Sequence, residues 1–464
     1  MLLLIFVVTA LLAPVCAAQA ETINDQMRFG VSSGSAKGAT DDLITTAWAP
    51  RKAGEELNMK FPKGGAGYIR IDWSEDSSGF AFIQYDASGN EIAACTEKDT
   101  YPAIMHLFPI MQDARYATLR LTTAGQQICS VRVYSVGALP DDVPNFDPPC
   151  TKCDLMIVST HQDDELLFFG GIIPYYNAVQ HKKVQVVYMA NCGRLRRGEA
   201  LNGLWAADEK NYPDFINLKD KRVETIREGV KLWGGKRAIL SALVTRIRRY
   251  QPEVILTHDL DGEYGHNQHK ITANAMKMAI EAAADPAQYP DSYAKYGAWQ
   301  VKKLYLHLYS ENVIDFDWDA AYPELGGQTP LQLARAGYAK HVSQQKYYKL
   351  RDGGEYDNSL FGLAYTVVGQ DVRHDDLFEN IDADVMLTAA PTSTPTLAPT
   401  STPTSVPLAS PQSTLSAPVT PQTRASTGYL ELILGGCVIA CAILIPAVIL
   451  RRKKGERRKD FDAQ

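Results

Sequence analysis

The chain has 464 residues, 45% of them hydrophobic and 22% charged, with a formal net charge of −6. This length exceeds one ordinary domain, and the composition is that of a folded protein rather than a disordered one. Arg451, Arg452, Lys453, Lys454, Arg457, Arg458 and Lys459 crowd the carboxyl end, so the remainder is more acidic than the total, and no nucleic acid is expected as a partner.

Residues 1–20 read as a signal peptide: an apolar run from Leu2 to Val15 closes on Ala17-Ala18-Gln19-Ala20, although the positive leader charges are missing. Residues 21–148 alternate with the period of strands in GYIRIDWS, GFAFIQYD, ATLRLTTA and CSVRVYSV, separated by turns such as DASGN. That spacing predicts an all-β sandwich. DDLITTAWAP and VRVYSVGALP resemble discoidin or galactose-binding-like modules, and the pattern fits a carbohydrate-binding sandwich and a purely packing one equally. In an oxidising compartment Cys95 with Cys129 and Cys150 with Cys153 are the plausible disulfide pairs, while connectivity stays open.

After the proline-rich joint DDVPNFDPPCTKC, residues 150–385 alternate strand and helix. Strands are expected at LMIVST, VQVVYM, EVILT and KKLYLHLY. Helices are expected through the LLFFGG region, near 196–207, 222–233 and 239–250, after Asn267, and through 334–350. This predicts an α/β domain with a Rossmann-like, doubly wound parallel sheet. Residues 389–427, as in PTSTPTLAPTSTPTSVP, cannot bury enough apolar surface to offset ordering and read as an extended stalk. Leu432 to Leu450 carries no charge, which predicts a single transmembrane helix over 430–450 and a basic cytoplasmic tail over 451–464. The positive-inside rule then places the α/β domain outside a single-pass cell-membrane protein.

Two segments carry chemistry. The strand Leu155–Thr160 delivers His161, Asp163, Asp164 and Glu165 to its carboxyl end, where sites gather in open α/β sheets, and Tyr264, His266 and His269 follow the strand Val254–Thr257. Two histidines and an aspartate suffice for one catalytic metal. One of the adjacent aspartates can bind it while the other acts as general base. Of His266 and His269, three residues apart, one can ligate while the other serves as acid or oxyanion stabiliser. Glu165 fits either catalysis or a favoured helix-start charge; Asp259, Asp261 and Glu263 read as a solvated turn, and His258 as a supporting or packed residue.

His161-Gln162-Asp163-Asp164-Glu165 and Gly265-His266-Asn267-Gln268-His269 resemble the H-P-D-D-E and G-H-P-D-H motifs of the PIG-L/LmbE-like deacetylase family, over roughly Cys153 to Tyr309. The resemblance implies Zn2+, or another divalent metal, on His161, Asp164 and His269, with Asp163 as general base. It further implies His266 supporting the leaving amine and the intermediate, Tyr264 polarising the acetyl carbonyl, and Arg196, in an R-x-x-E helix, holding a substrate oxygen. Gln162 replaces a proline, predicting a looser loop, and Gln268 replaces an aspartate that would orient His266. The expectation is a surface-anchored, zinc-dependent hydrolase that removes acetyl from N-acetylglucosamine-type residues of a glycan or glycolipid. The alternative is a catalytically inactive carbohydrate-binding or adhesion protein at the surface.

Overall fold

Short segments with one buried and one exposed face build the amino-terminal part of the chain: in Glu56–Lys60, Leu57 and Met59 are buried while Asn58 and Lys60 are exposed. The computed structural model describes residues 18–351 and 353–381, all within one compact unit, Met1–Thr388. Strands β1 (Arg28–Val31), β2 (Glu56–Lys60), β3 (Tyr68–Trp73), β4 (Phe80–Tyr85), β5 (Glu91–Thr96), β6 (Met105–Pro109), β7 (Tyr116–Leu121) and β8 (Ile128–Tyr134) form two antiparallel sheets, ordered β1-β2-β7-β4-β5 and β6-β3-β8. Leu57, Phe82 and Leu119 of the first share one apolar core with Ile69, Ile71 and Val131 of the second.

The expected disulfides do not form; Cys95, Cys129, Cys150, Cys153 and Cys192 are all free. Cys95 and Cys129 lie on β5 and β8 of different sheets, and the Cys129 Sγ faces Arg194 Nη1 at 2.7 Å. The Cys150 thiol points at the Val184 carbonyl, 3.8 Å away.

From β9 (Leu155–Ser159) the chain is mixed α/β, as the alternation predicted. β10 (Val184–Asn191), β11 (Asp214–Lys219), β12 (Val254–Thr257) and β13 (Lys303–His307) join β9 in parallel, and β14 (Val313–Asp315) and β15 (Leu360–Thr366) add antiparallel pairs. The order is β11-β10-β9-β12-β13-β15-β14. β9 is wholly buried because alternate residues enter two cores. Leu155 and Ile157 pack with Phe169, Leu201 and Leu204, while Met156 and Val158 pack with Leu243, Ile247 and Met276. Helices therefore cover both faces: α1 (Asp164–Leu167), α2 (Arg194–Ala206) and α5 (Pro330–Tyr338) against one, α3 (Lys236–Tyr250) and α4 (Asn267–Ala284) against the other.

The helix expected over 334–350 stops at Tyr338, because the following AKHVSQQKYYK offers too few apolar positions for a buried stripe. β11, β14 and β15 were not anticipated. Their segments lack clear alternation, and β15 contains Gly362, whose Cβ would lie 2.1 Å from the Tyr309 carbonyl oxygen. The amino-terminal sheets pack directly on α2: buried Arg197 pairs with Glu75 at 3.1 Å and with Asp76, and the Ile104 N–H donates to the Tyr212 hydroxyl at 2.8 Å. Of the expected leader, 18–20 is described and pairs with Ala138. The stalk, membrane helix and basic tail lie outside the described residues. Among those described, no helix is long and apolar enough to cross a membrane.

Candidate metal centre and active site

β9 ends at Ser159, and the backbone turns at once: the Ser159 hydroxyl donates to the His161 carbonyl, and the Asp164 carboxylate accepts the His161 N–H at 2.7 Å. This turn holds Asp163 at φ 144°, a conformation that side-chain-bearing residues rarely adopt and that active sites tolerate. The second segment is brought alongside by β12, which pairs with β9, and by a 2.8 Å hydrogen bond between the Thr160 and Thr272 hydroxyls.

Together these place three donor atoms in contact. His161 Nδ1 lies 3.1 Å from both Asp164 Oδ2 and His269 Nε2, and His269 Nε2 lies 3.2 Å from Asp164 Oδ2. Ligands held tetrahedrally by a cation with ~2.0 Å bonds stand roughly 3.3 Å apart, so the separations fit a metal of zinc's size. The tautomers fit as well. His269 Nδ1 donates to Glu263 Oε2 at 2.7 Å, and His161 Nε2 faces Gln268 Oε1 at 3.1 Å, which leaves a lone pair on the inner nitrogen of each ring. His266, half-buried, joins the group with its Nδ1 buried and without a hydrogen-bond partner. His258 also stands near Asp164, but its Nε2 accepts the Thr160 N–H at 2.8 Å and its Nδ1 donates to Glu263 at 2.9 Å, so it has no lone pair to offer.

The electrostatics favour a cation. Burial opposes charge on Asp164, yet His269 and His161 hold its carboxyl well below the usual range. Burial likewise pulls His269 down, while Asp164 and Glu263 outweigh it and raise its pKa to about 10, so without a metal its Nε2 carries a proton that a bound cation would displace to free the lone pair. Asp163 behaves differently: burial lifts its carboxyl to about 7 against the pull of Arg196. His266 falls to about 3, through burial and then the neighbouring His269 and His161. It is therefore neutral near pH 7.

Arg196 does not face open space. Its Nη2 pairs with Asp163 Oδ1 and donates to the Gln162 carbonyl at 2.9 Å. Tyr264 has φ 57° and is 49% exposed, at the mouth of the cluster. Gln162 tightens its loop instead of loosening it, because its amide donates to the Ala190 carbonyl at 2.6 Å and accepts the Cys192 N–H at 3.0 Å. Gln268 serves His161, not His266. Glu263 is no solvated turn residue: fully buried, it accepts from His258, His269 and His307, the last at 2.7 Å. Its only sequence signal was the five-residue step from His258. Glu165 is also fully buried; it accepts the Asp163 N–H at 3.0 Å, and burial lifts its carboxyl to about 8. His341, unanticipated, lies 3.8 Å from Glu165 Oε1.

Histidine and carboxylate donors at the carboxyl end of parallel strands, beside a buried aspartate with a raised pKa, form a candidate metal site of the kind that hydrolases use. Residues 156–280, which contain both motif segments, match the family model PIG-L, GlcNAc-PI de-N-acetylase, so this stretch of the chain is similar to that family. The 1D-myo-inositol 2-acetamido-2-deoxy-alpha-D-glucopyranoside deacetylase of Geodermatophilus obscurus is 42% identical over 182 residues, covering 32% of this chain and 60% of that protein. Its namesake in Rhodococcus jostii is 28% identical over 184 residues, with the same two coverages. The chain thus spans 60% of the length of these relatives. The solved N,N'-diacetylchitobiose deacetylase of Pyrococcus horikoshii overlaps loosely, at 16% identity and a TM-score of 0.33, over 41% of this chain and 70% of that one.

Proposed function

We propose that the protein is a metal-dependent N-deacetylase that hydrolyses the acetamide of N-acetylglucosamine-type residues in a glycan or glycolipid. The observation that carries this reading is the contact of His161 Nδ1, Asp164 Oδ2 and His269 Nε2 at 3.1–3.2 Å, next to buried Asp163. These three residues would hold a divalent cation, with zinc the best match to their nitrogen and oxygen donors. Bound there, the cation supplies Lewis acidity and lowers the pKa of water.

The remaining chemistry belongs to the chain. Asp163, oriented by Arg196 through Oδ1, takes a proton from the attacking water as its oxygen bonds the acetyl carbon. When the C–N bond breaks, the resulting carboxylic acid of Asp163 returns that proton to the leaving amine, giving acetate and a free amino sugar. Neutral His266 contributes a hydrogen bond to the developing oxyanion, and the Tyr264 hydroxyl a second from the cleft side. Arg196 thus acts on the base rather than on a substrate oxygen. The layered sheet reads as Rossmann-like, and the amino-terminal sheets as a discoidin-like sandwich packed on the α/β domain. The sequence pattern of residues 1–20, 389–427 and 430–450 supports export and a single membrane anchor that leaves the catalytic domain outside the cell.

Acetate release from a panel of N-acetylated saccharides tests the reading. Asp163→Asn should lose at least about a hundredfold in kcat with its metal content unchanged. Full activity in that variant removes Asp163 as the base. His161→Ala should lose metal, and an unaltered stoichiometry removes it as a ligand.

A further inference from the structure

Beside the histidine–aspartate cluster runs a cleft of about 420 Å³, lined by Tyr264, Tyr347, Tyr348 and Tyr356 together with Phe168 and polar residues. Tyr264 stacks on Tyr348, with ring centroids 5.2 Å apart and 29° between planes, and meets Tyr356 edge-on at 4.5 Å. Phe168 links this group to the cluster, lying 5.5 Å from Tyr264 and 5.8 Å from His269. The stack is held open rather than packed away: Tyr264 is 49% exposed and Tyr348 39%. Lys349, Arg351 and Glu355 line it as well. Tyr348 and Tyr356 both fall outside the stretch 156–280 that matches the family model, so this wall belongs to the chain's own carboxyl-terminal segment.

We infer that this tyrosine cleft is a subsite for a second sugar ring, and that the substrate is a saccharide of at least two rings rather than a free monosaccharide. The inference rests on the deacetylase reading. A pyranose ring offers an apolar C–H face to an aromatic wall and hydroxyl groups at its edge to charged side chains, which matches exposed tyrosine faces bounded by Lys349 and Arg351. An acyl chain fits less well, because it would strip water from those two cations without hydrogen-bonding them. The position fits too. Tyr264 is two residues from His266, so a ring seated on Tyr264 and Tyr348 adjoins one whose acetamide reaches the metal cluster.

The test uses metal-replete protein and N-acetylglucosamine oligomers of increasing length. The kcat/KM of wild type should rise about tenfold from one sugar to two or more, the factor of one well-placed aromatic contact. Tyr348→Ala and Tyr356→Ala should erase that ratio, mainly through KM, while Tyr348→Phe preserves it. A wild type without chain-length preference, or a preference that both alanine variants keep, overturns the subsite. Calorimetry on Asp163→Asn separates this failure from that of the catalytic reading. Binding of the trisaccharide that disappears on adding Tyr348→Ala supports the cleft even if no saccharide releases acetate. Absence of trisaccharide binding overturns the cleft whatever the turnover.

Discussion

Asp163 and Asp164 are sequence neighbours with opposite charge behaviour, and the difference comes from what each faces. Asp164 looks into two imidazoles and stays ionised, whereas Asp163 has one arginine against complete burial and sits near 7. In the proposed mechanism, ligand and base are thereby separated within a single dipeptide. The motif residues were legible because chemistry must stand at the carboxyl end of a strand, and both halves follow one. Glu263, His307 and His341 were not, since their importance lies in partners brought together only by folding. Glu263 is the clearest case, one buried carboxylate fixing three imidazoles. Glu263→Gln should weaken metal affinity by roughly ten- to a hundredfold, the usual effect of removing a carboxylate behind a ligating histidine. Competition with a chromophoric chelator measures it, and unchanged affinity would show that His269 is oriented by something else.

At the scale of elements, β9, β10, β12 and β13 were legible as apolar runs, whereas the edge strands β11, β14 and β15 and the end of α5 were not. Helix α2 carries Arg196 to Asp163, and its own placement depends on the amino-terminal sheets. Arg197 is almost wholly buried, and the side chains paired with it are Glu75 and Asp76. Gly203 on α2 and Gly337 on α5 let these helices meet closely: a Cβ on Gly203 would stand 2.7 Å from His341 Nε2. Combining Glu75→Gln with Asp76→Asn removes both charges facing the buried Arg197 guanidinium, at a cost on the order of 1 kcal/mol because the two carboxylates are partly exposed. The urea midpoint and kcat should therefore fall together, and an unchanged kcat in a destabilised protein would show that the sheets do not position the base.

The same sheets carry a pH response. His106 accepts from Trp73 Nε1 at 3.0 Å and faces the Tyr101 carbonyl at 3.0 Å, and burial drops its pKa to about 4. A histidine depressed in the folded state contributes stability that is complete above about 6.5 and is lost as pH falls toward 4, up to about 3 kcal/mol. His106→Gln can keep both hydrogen bonds without titrating. Its unfolding free energy should fall less steeply than that of wild type between pH 6.5 and 4, and parallel profiles would remove His106 as the source.

Over the whole molecule, Ala103, Ile104 and Met105 from the amino-terminal part enter the same apolar cluster as Leu155, Phe169 and Leu204 of the α/β part. The composition change near residue 150 marked a change of architecture, but composition cannot reveal that the two parts share a core. The five free thiols among the described residues likewise could not be read from spacing, because pairing depends on which strands become neighbours. What unites the molecule is a single cluster placed by β9 and β12, enclosed by helices, and opening onto a tyrosine cleft. Its central claim is that this cluster works only with a metal. The direct measurement is acetate release from an N-acetylglucosamine oligomer by metal-stripped protein as zinc is titrated back. The account predicts no turnover without metal and recovery that saturates near one zinc per chain. Turnover that persists after stripping, or that ignores added zinc and other divalent cations, would contradict it.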